Sequence, residues 1–92
     1  MPAFSPAQIT QGLAAIPDWR LENGSLARSF SFSDFREAMS FVNSVAAAAE
    51  RAGHHPDIDI RYNKVNLALS SHDAGGITER DFSLAAEIGK LL

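Results

Sequence analysis

The chain has 92 residues, enough for one domain, and 46% of them are hydrophobic, which sets it apart from the sparse, highly charged sequences that stay disordered. Eleven acidic residues outweigh eight basic ones to give a net charge of -3, and the basic residues are scattered singly, so the stripe that grips a nucleic-acid backbone is missing. With no cysteine there are no disulfides or thiolate metal sites, and no run approaches the ~18 apolar residues of a membrane span. The start, Met1-Pro2-Ala3-Phe4-Ser5, has neither the basic nor the apolar region of a secretory leader, so the cytoplasm is the expected compartment. A domain this small buries only about 60 to 65% of its unfolded surface, which makes self-association the expectation.

Ser5-Pro6-Ala7-Gln8 reads as a capping box opening a short helix with Ile9, Leu13 and Ile16 near one face, ended by Pro17. Gly12 weakens that helix, which therefore needs packing. From Trp19 to Phe32 the pattern has period two around Asn23-Gly24, the residue pair that a tight hairpin turn prefers. Ser33 then caps a long helix in which Phe35, Ala38, Met39, Val42, Val45, Ala46 and Ala49 form an apolar stripe. Gly53 sits where a left-handed residue stops it. Ile58, Ile60 and Tyr62, then Val65, Leu67 and Leu69, make a second hairpin with its turn at Asn63-Lys64. That turn pairs Tyr62 with Val65, Ile60 with Leu67, Ile58 with Leu69 and Pro56 with Ser71, and so brings His72 opposite His55. Thr78, with Asp81 three positions on, caps a last helix carrying Phe82, Leu84, Ala85 and Ile88. The order α-β-β-α-β-β-α predicts an α+β domain spanning residues 1–92, with a four-stranded antiparallel sheet and three helices on one face.

The chemistry concentrates in Glu50-Arg51-Ala52-Gly53-His54-His55-Pro56-Asp57, which holds two of the three histidines, while the hairpin returns the third, His72, to the same end. Three imidazoles raise the question of zinc. Neighbouring side chains of an extended chain point to opposite faces, and the i, i+4 spacing of helical metal ligands is missing, so no metal is expected. Imidazole titrates near pH 6.5, so one ring can donate a proton while another accepts one, a pairing worth about 10² to 10⁴ in rate without any cofactor. Glu50, one helical turn before His54, is placed to fix its tautomer. No serine or cysteine nucleophile with triad spacing accompanies them. Taken singly, each histidine also has a plain structural reading as a polar residue at a helix or strand end.

Glu50, His54-His55-Pro56, Tyr62, His72 and Asp81, at these spacings, resemble the signature of the pterin-4a-carbinolamine dehydratase family, also known as the dimerisation cofactor of a homeodomain transcription factor. Pro17-Asp18-Trp19, Phe30 to Phe35 and Gly76-Ile77-Thr78 extend the likeness to nearly the whole chain. The resemblance implies a hydro-lyase that removes water from a 4a-hydroxytetrahydropterin to give the quinonoid dihydropterin, recycling the tetrahydrobiopterin-type cofactor of aromatic amino acid hydroxylases. It implies His54, His55 and His72 as catalytic residues. His54-His55-Pro56 and Ser71-His72-Asp73-Ala74 would line the pterin pocket, with Glu50 and Asp81 in support. In that assignment His54 and His72 exchange protons with substrate while His55 binds or orients it. The family also implies a homodimer or homotetramer. Asp57, where animal members commonly have glutamate, and Ala74, where they have cysteine, depart from the pattern without touching a proton-transfer group. The competing reading is a non-catalytic dimerisation or assembly module of the same fold, for which three histidines are not required. Asp81 also reads as a capping group, Tyr62 as a half-buried sheet residue, Trp19 as core, and Ala46 to Ala49 as core or an inter-subunit seam.

Overall fold

The computed structural model describes residues 2–92; Met1, the first residue of the stretch read for a leader, lies outside them. Its elements are α1 (Pro6–Leu13), β1 (Arg20–Glu22), β2 (Ser25–Ser31), α2 (Phe35–Ala52), β3 (Asp57–Arg61), β4 (Lys64–Leu69) and α3 (Glu79–Gly89), with a 3₁₀ turn at His72–Ala74. The strands form one antiparallel sheet in the order β1-β2-β4-β3. This is the expected α+β arrangement. Leu26 and Phe30 on β2 and Val65, Leu67 and Leu69 on β4 point to one face and are buried with Val45 and Ala49 of α2 and Leu84 and Ile88 of α3. The other face carries Ser29, Asn66 and Asp59 in a hydrogen-bonded row across three strands.

Local chemistry sets most of the element ends. Asn23 and Gly24 both have positive φ, 50° and 77°, and join β1 to β2 in the expected register, Glu22 opposite Ser25. The predicted box at Ser5 closes, with Ser5 Oγ accepting from Gln8 N and Gln8 Oε1 accepting from Ser5 N. Helix α1 stops at Leu13, ahead of Pro17, and continues to Ile16 only as tight turns. Gly12 lets it approach α3 closely, because a Cβ there would lie 2.6 Å from the Phe82 ring. Trp19, as expected, is core, meeting Phe30 edge-on at 6.4 Å, and Phe30 lies 4.6 Å from Phe41 of α2.

Several expectations change. The cap of α2 is Asp34, whose carboxylate accepts from Glu37 N, while Ser33 lends its own N–H to the Glu37 side chain. Phe35, the first helical residue, is consequently exposed instead of joining the stripe. In the alanine run, Ala48 and Ala49 are buried whereas Ala46 and Ala47 face outward. The second hairpin turns one residue early, at Tyr62-Asn63, so Ile60 faces Val65 and Ile58 faces Leu67, two residues away from the expected pairing.

The cause of that shift is Asn63, which is fastened to the end of β2: its side-chain N–H donates to Phe32 O at 2.8 Å and its carbonyl accepts from Phe32 N at 2.9 Å. Tyr62 takes the first position of the displaced turn with a φ of 54° and is 66% exposed, not half-buried. A shift of two keeps every side chain on its expected face. It changes which residues meet at the base of the hairpin, where the histidines are.

Candidate active site

Helix α2 ends as its sequence requires. Gly53 is left-handed at φ 62°, its N–H is directed to Ala49 O and Glu50 O, and His54 N donates to Ala49 O at 3.1 Å, the doubled closure of a Schellman motif. This fixes the backbone of His54 as it leaves the helix. Continuing the observed β3–β4 register sets His54 level with Ser71, on the covered face, and His55 on the opposite one. Burial agrees: His54 is buried and His55 exposed.

The inner ring meets Asp81 of α3, with His54 Nε2 2.5 Å from Asp81 Oδ1 and side-chain exposures of 10% and 0%. The second carboxylate oxygen accepts from Ser71 Oγ and from Thr78 N, each at 2.9 Å. Ser71 Oγ also lies 2.8 Å from Thr78 Oγ1, which accepts from Arg80 N at 3.2 Å. Asp81 is thus both the capping acid of α3 that its spacing predicts and the partner of a histidine 27 residues away.

The outer ring has a different partner. His55 Nε2 lies 2.5 Å from Glu50 Oε2, with exposures of 65% and 76%. The expectation that Glu50 holds His54 is therefore corrected, because His54 turns under the sheet to Asp81 and leaves Glu50 beside the ring that points out. His72 opens the 3₁₀ turn and is exposed. Its loop is tightly closed: Ser71 and Gly76 exchange both backbone hydrogen bonds, Ala74 N donates to Ser71 O, and Gly75 N donates to His72 O. Arg80 ties the loop to α3 through a 2.7 Å bond to Asp73, which holds the Asp73 carboxyl below its usual value.

Asp81 thus joins His54 to Ser71, and His72 follows Ser71 directly, while Pro56 is half-buried at the mouth of the hairpin. A cleft of ≈ 290 Å³ runs from His54 between the end of α2 and α3, walled by Ala52, Arg80, Ser83 and Leu84 with Glu79 and Glu87 at its rim. His55 and His72 are outside that wall. Ser71, expected in the pterin pocket, is fully buried with its hydroxyl committed to Asp81, so its side chain supports the site from beneath. Thr78, a helix cap by its spacing, also belongs to this buried group. The missed signal is that Ser71 continues the inward phase of Val65, Leu67 and Leu69, where a polar group needs a buried partner. No group of three or more His, Cys, Asp or Glu side chains is placed to hold a metal ion among the described residues.

The sequence model of the pterin 4 alpha carbinolamine dehydratase family matches residues 2–91. The chain belongs to that family. Relatives in Chloroflexus aurantiacus and Acidobacterium capsulatum, both provisionally named pterin-4-alpha-carbinolamine dehydratase, are 56% and 58% identical to it over 92 residues. They span 100% of this chain and 99% and 100% of their own. Among solved structures, a transcriptional coactivator/pterin dehydratase from Brucella melitensis has a TM-score of 0.92 at 30% identity, covering 97% of each chain. A pterin dehydratase-like protein described as a RuBisCO assembly factor in the alpha-carboxysome has a TM-score of 0.68 at 27% identity, covering 80% of this chain and 88% of its own. The matched span contains His54, His55, His72, Glu50 and Asp81.

Proposed function

We propose that the protein is a 4a-hydroxytetrahydropterin dehydratase working by histidine general acid/base catalysis. The observation that carries the proposal is the arrangement at the hairpin base: one buried, oriented imidazole and two exposed ones on short, well-fastened connections. Dehydration needs a proton delivered to the C4a hydroxyl so that it leaves as water, and a proton taken from N5. His72, exposed and free to exchange with solvent, acts as the acid, and His54 acts as the base. His55 and Pro56 hold the ring from one side and the Asp73-Ala74 turn holds it from the other, with Glu50 steadying His55 and Asp81 steadying His54. The products are water and the quinonoid dihydropterin, and the two histidines regain their starting protonation through solvent. The natural setting is recycling of the pterin used by an aromatic amino acid hydroxylase in the cytoplasm; no helix among the described residues is long and apolar enough to cross a membrane.

Stopped-flow loss of a freshly generated 4a-carbinolamine tests the proposal. Wild-type protein should accelerate it over the spontaneous reaction, and joint replacement His54→Ala and His72→Ala should abolish the acceleration. Unaltered rates in either comparison count against it.

We also propose that the active form is a homo-oligomer. Strand β3 is a sheet edge of five residues whose Ile58 and Ile60 are 37% and 36% exposed, whereas the other edge, β1, has only three residues. Pairing of β3 with its copy would satisfy the open edge and cover both isoleucines. Light scattering that returned a 9.9 kDa particle at micromolar concentration would contradict this.

A second reading has one observation in its favour, the likeness to the protein described as a RuBisCO assembly factor. In that reading the chain is a non-catalytic binding or assembly module and its histidines are inert. Affinity purification returning a stoichiometric foreign protein, together with an inactive wild type, would rank it first.

A further inference from the structure

Hydrogen counting around Asp81 carries an inference about residues that never meet the substrate. Ser71 has one hydroxyl hydrogen, and it goes to Asp81 Oδ2 at 2.9 Å. In the 2.8 Å contact between the two hydroxyls Thr78 must therefore be the donor and Ser71 the acceptor. Thr78 Oγ1 in turn accepts from the backbone N–H of Arg80. The result is a chain of hydrogen bonds running one way, from Arg80 N through Thr78 and Ser71 into the carboxylate, in which each bond polarises the next. Thr78 N–H adds a second donor to the same oxygen.

With Oδ2 taken by two donors, the place left for a shared proton is the contact between Oδ1 and His54 Nε2. Donors on a carboxylate favour its charged form, so that proton rests on nitrogen. We infer that Ser71 and Thr78 are positioning residues that set His54 in its Nε2–H tautomer, leaving Nδ1 as a lone-pair acceptor. The consequence for chemistry rests on the dehydratase reading: resting His54 is fixed as the base, and the acid has to be an exposed ring. Loss of the Ser71 hydrogen bond weakens the hold on the charged carboxylate. The pair can then take up one proton from solvent, so that Asp81 is protonated and donates to Nε2 while the ring carries its own hydrogen on Nδ1, which leaves the ring no acceptor toward substrate. The neighbouring pair has no such device, because Glu50 and His55 are both open to water.

Nitrogen-15 NMR of the histidine rings reads the tautomer without reference to activity, with His54 assigned by subtracting spectra of His55→Gln and His72→Gln. Wild-type His54 should show a protonated Nε2 and an unprotonated Nδ1 at neutral pH. Ser71→Ala should give a mixture of tautomers, Thr78→Val a smaller move in the same direction, and Thr78→Ser, which keeps the hydroxyl, should restore the wild-type pattern. Asp81→Asn, whose amide donates to Nε2, should reverse the tautomer. In the carbinolamine assay Ser71→Ala should lower kcat about 10-fold or more while KM stays within about twofold, the split expected when a base is mis-set and substrate contacts are intact. A wild-type His54 protonated on Nδ1, a Ser71→Ala spectrum identical to wild type, or a displaced tautomer with full kcat would overturn the inference. If the tautomers behave as stated and wild-type protein does not accelerate carbinolamine loss, the dehydratase reading fails and the positioning stands.

Discussion

His54 and His55 are adjacent in the chain, and each has a carboxylate 2.5 Å from its Nε2, yet the two pairs are opposites in every other respect. The His54–Asp81 pair lies under the sheet with only the His54 ring reaching a cleft, joins residues 27 positions apart, and leaves no buried side-chain polar atom unpartnered among the described residues. The His55–Glu50 pair lies on the surface across one helix end. Equal distances therefore describe unequal interactions. A buried hydrogen bond to a charged carboxylate is costly to break because the surviving polar groups are left without a partner, whereas an exposed pair competes with water and salt on nearly even terms. The lesson is a division of labour: the inner ring is held in one orientation by buried partners, while the outer rings stay open to solvent.

Asp81→Ala breaks the comparison most severely. It strands His54 Nε2, Ser71 Oγ and Thr78 N together, and a loss of about 3 to 5 kcal/mol in urea unfolding is expected when several buried polar groups lose their partner at once, at roughly 1 to 3 kcal/mol each. His72→Ala is expected to leave urea unfolding within about 0.5 kcal/mol of wild type, as for most surface substitutions, while lowering kcat about 10² to 10⁴. Glu50→Ala sharpens the contrast from the weak side, with a stability change of at most about 1 kcal/mol that shrinks as salt is added. Asn in place of Tyr62 relieves the left-handed backbone at φ 54° and should raise stability by about 0.5 to 1 kcal/mol, without altering either pair.

The loop beneath His72 supplies a pH test. Arg80 donates a hydrogen bond to Asp73 and lowers its pKa from the usual 3.8. A depressed carboxyl stabilises the fold above its unfolded value, and that contribution disappears as pH falls through the folded one. A carboxyl titration followed by NMR should therefore place Asp73 below 3.8 in wild-type protein and return it to the usual range in Arg80→Ala. An unchanged midpoint would mean that the contact does not hold the loop to α3.

What the sequence made legible was whatever local chemistry decides. Asn23-Gly24, the boxes at Ser5 and Thr78, and Gly53 after a long amphipathic helix each act within a few residues, and each appears where its pattern put it. The misreadings share a different cause. Asn63 is claimed by Phe32, 31 residues earlier, and this moves the turn; His54 is claimed by Asp81, and this frees Glu50 for His55. Leu21, Ile58 and Ile60 follow the apolar phase and are nevertheless exposed, since alternation names a face without revealing that the strand lies at the sheet's edge. At the site, the three histidines and Asp81 were readable from the chain. Ser71 showed its inward phase in the sequence but not its partner, because Asp81 reaches it from another element.

The most direct test of the account measures carbinolamine loss and urea unfolding side by side for His54→Ala, His55→Ala and His72→Ala. Wild-type protein should accelerate the reaction, the two outer replacements should lose rate with folding intact, and the inner one should lose both rate and stability. No acceleration by wild-type protein, or unchanged stability on replacing the inner histidine, would contradict this.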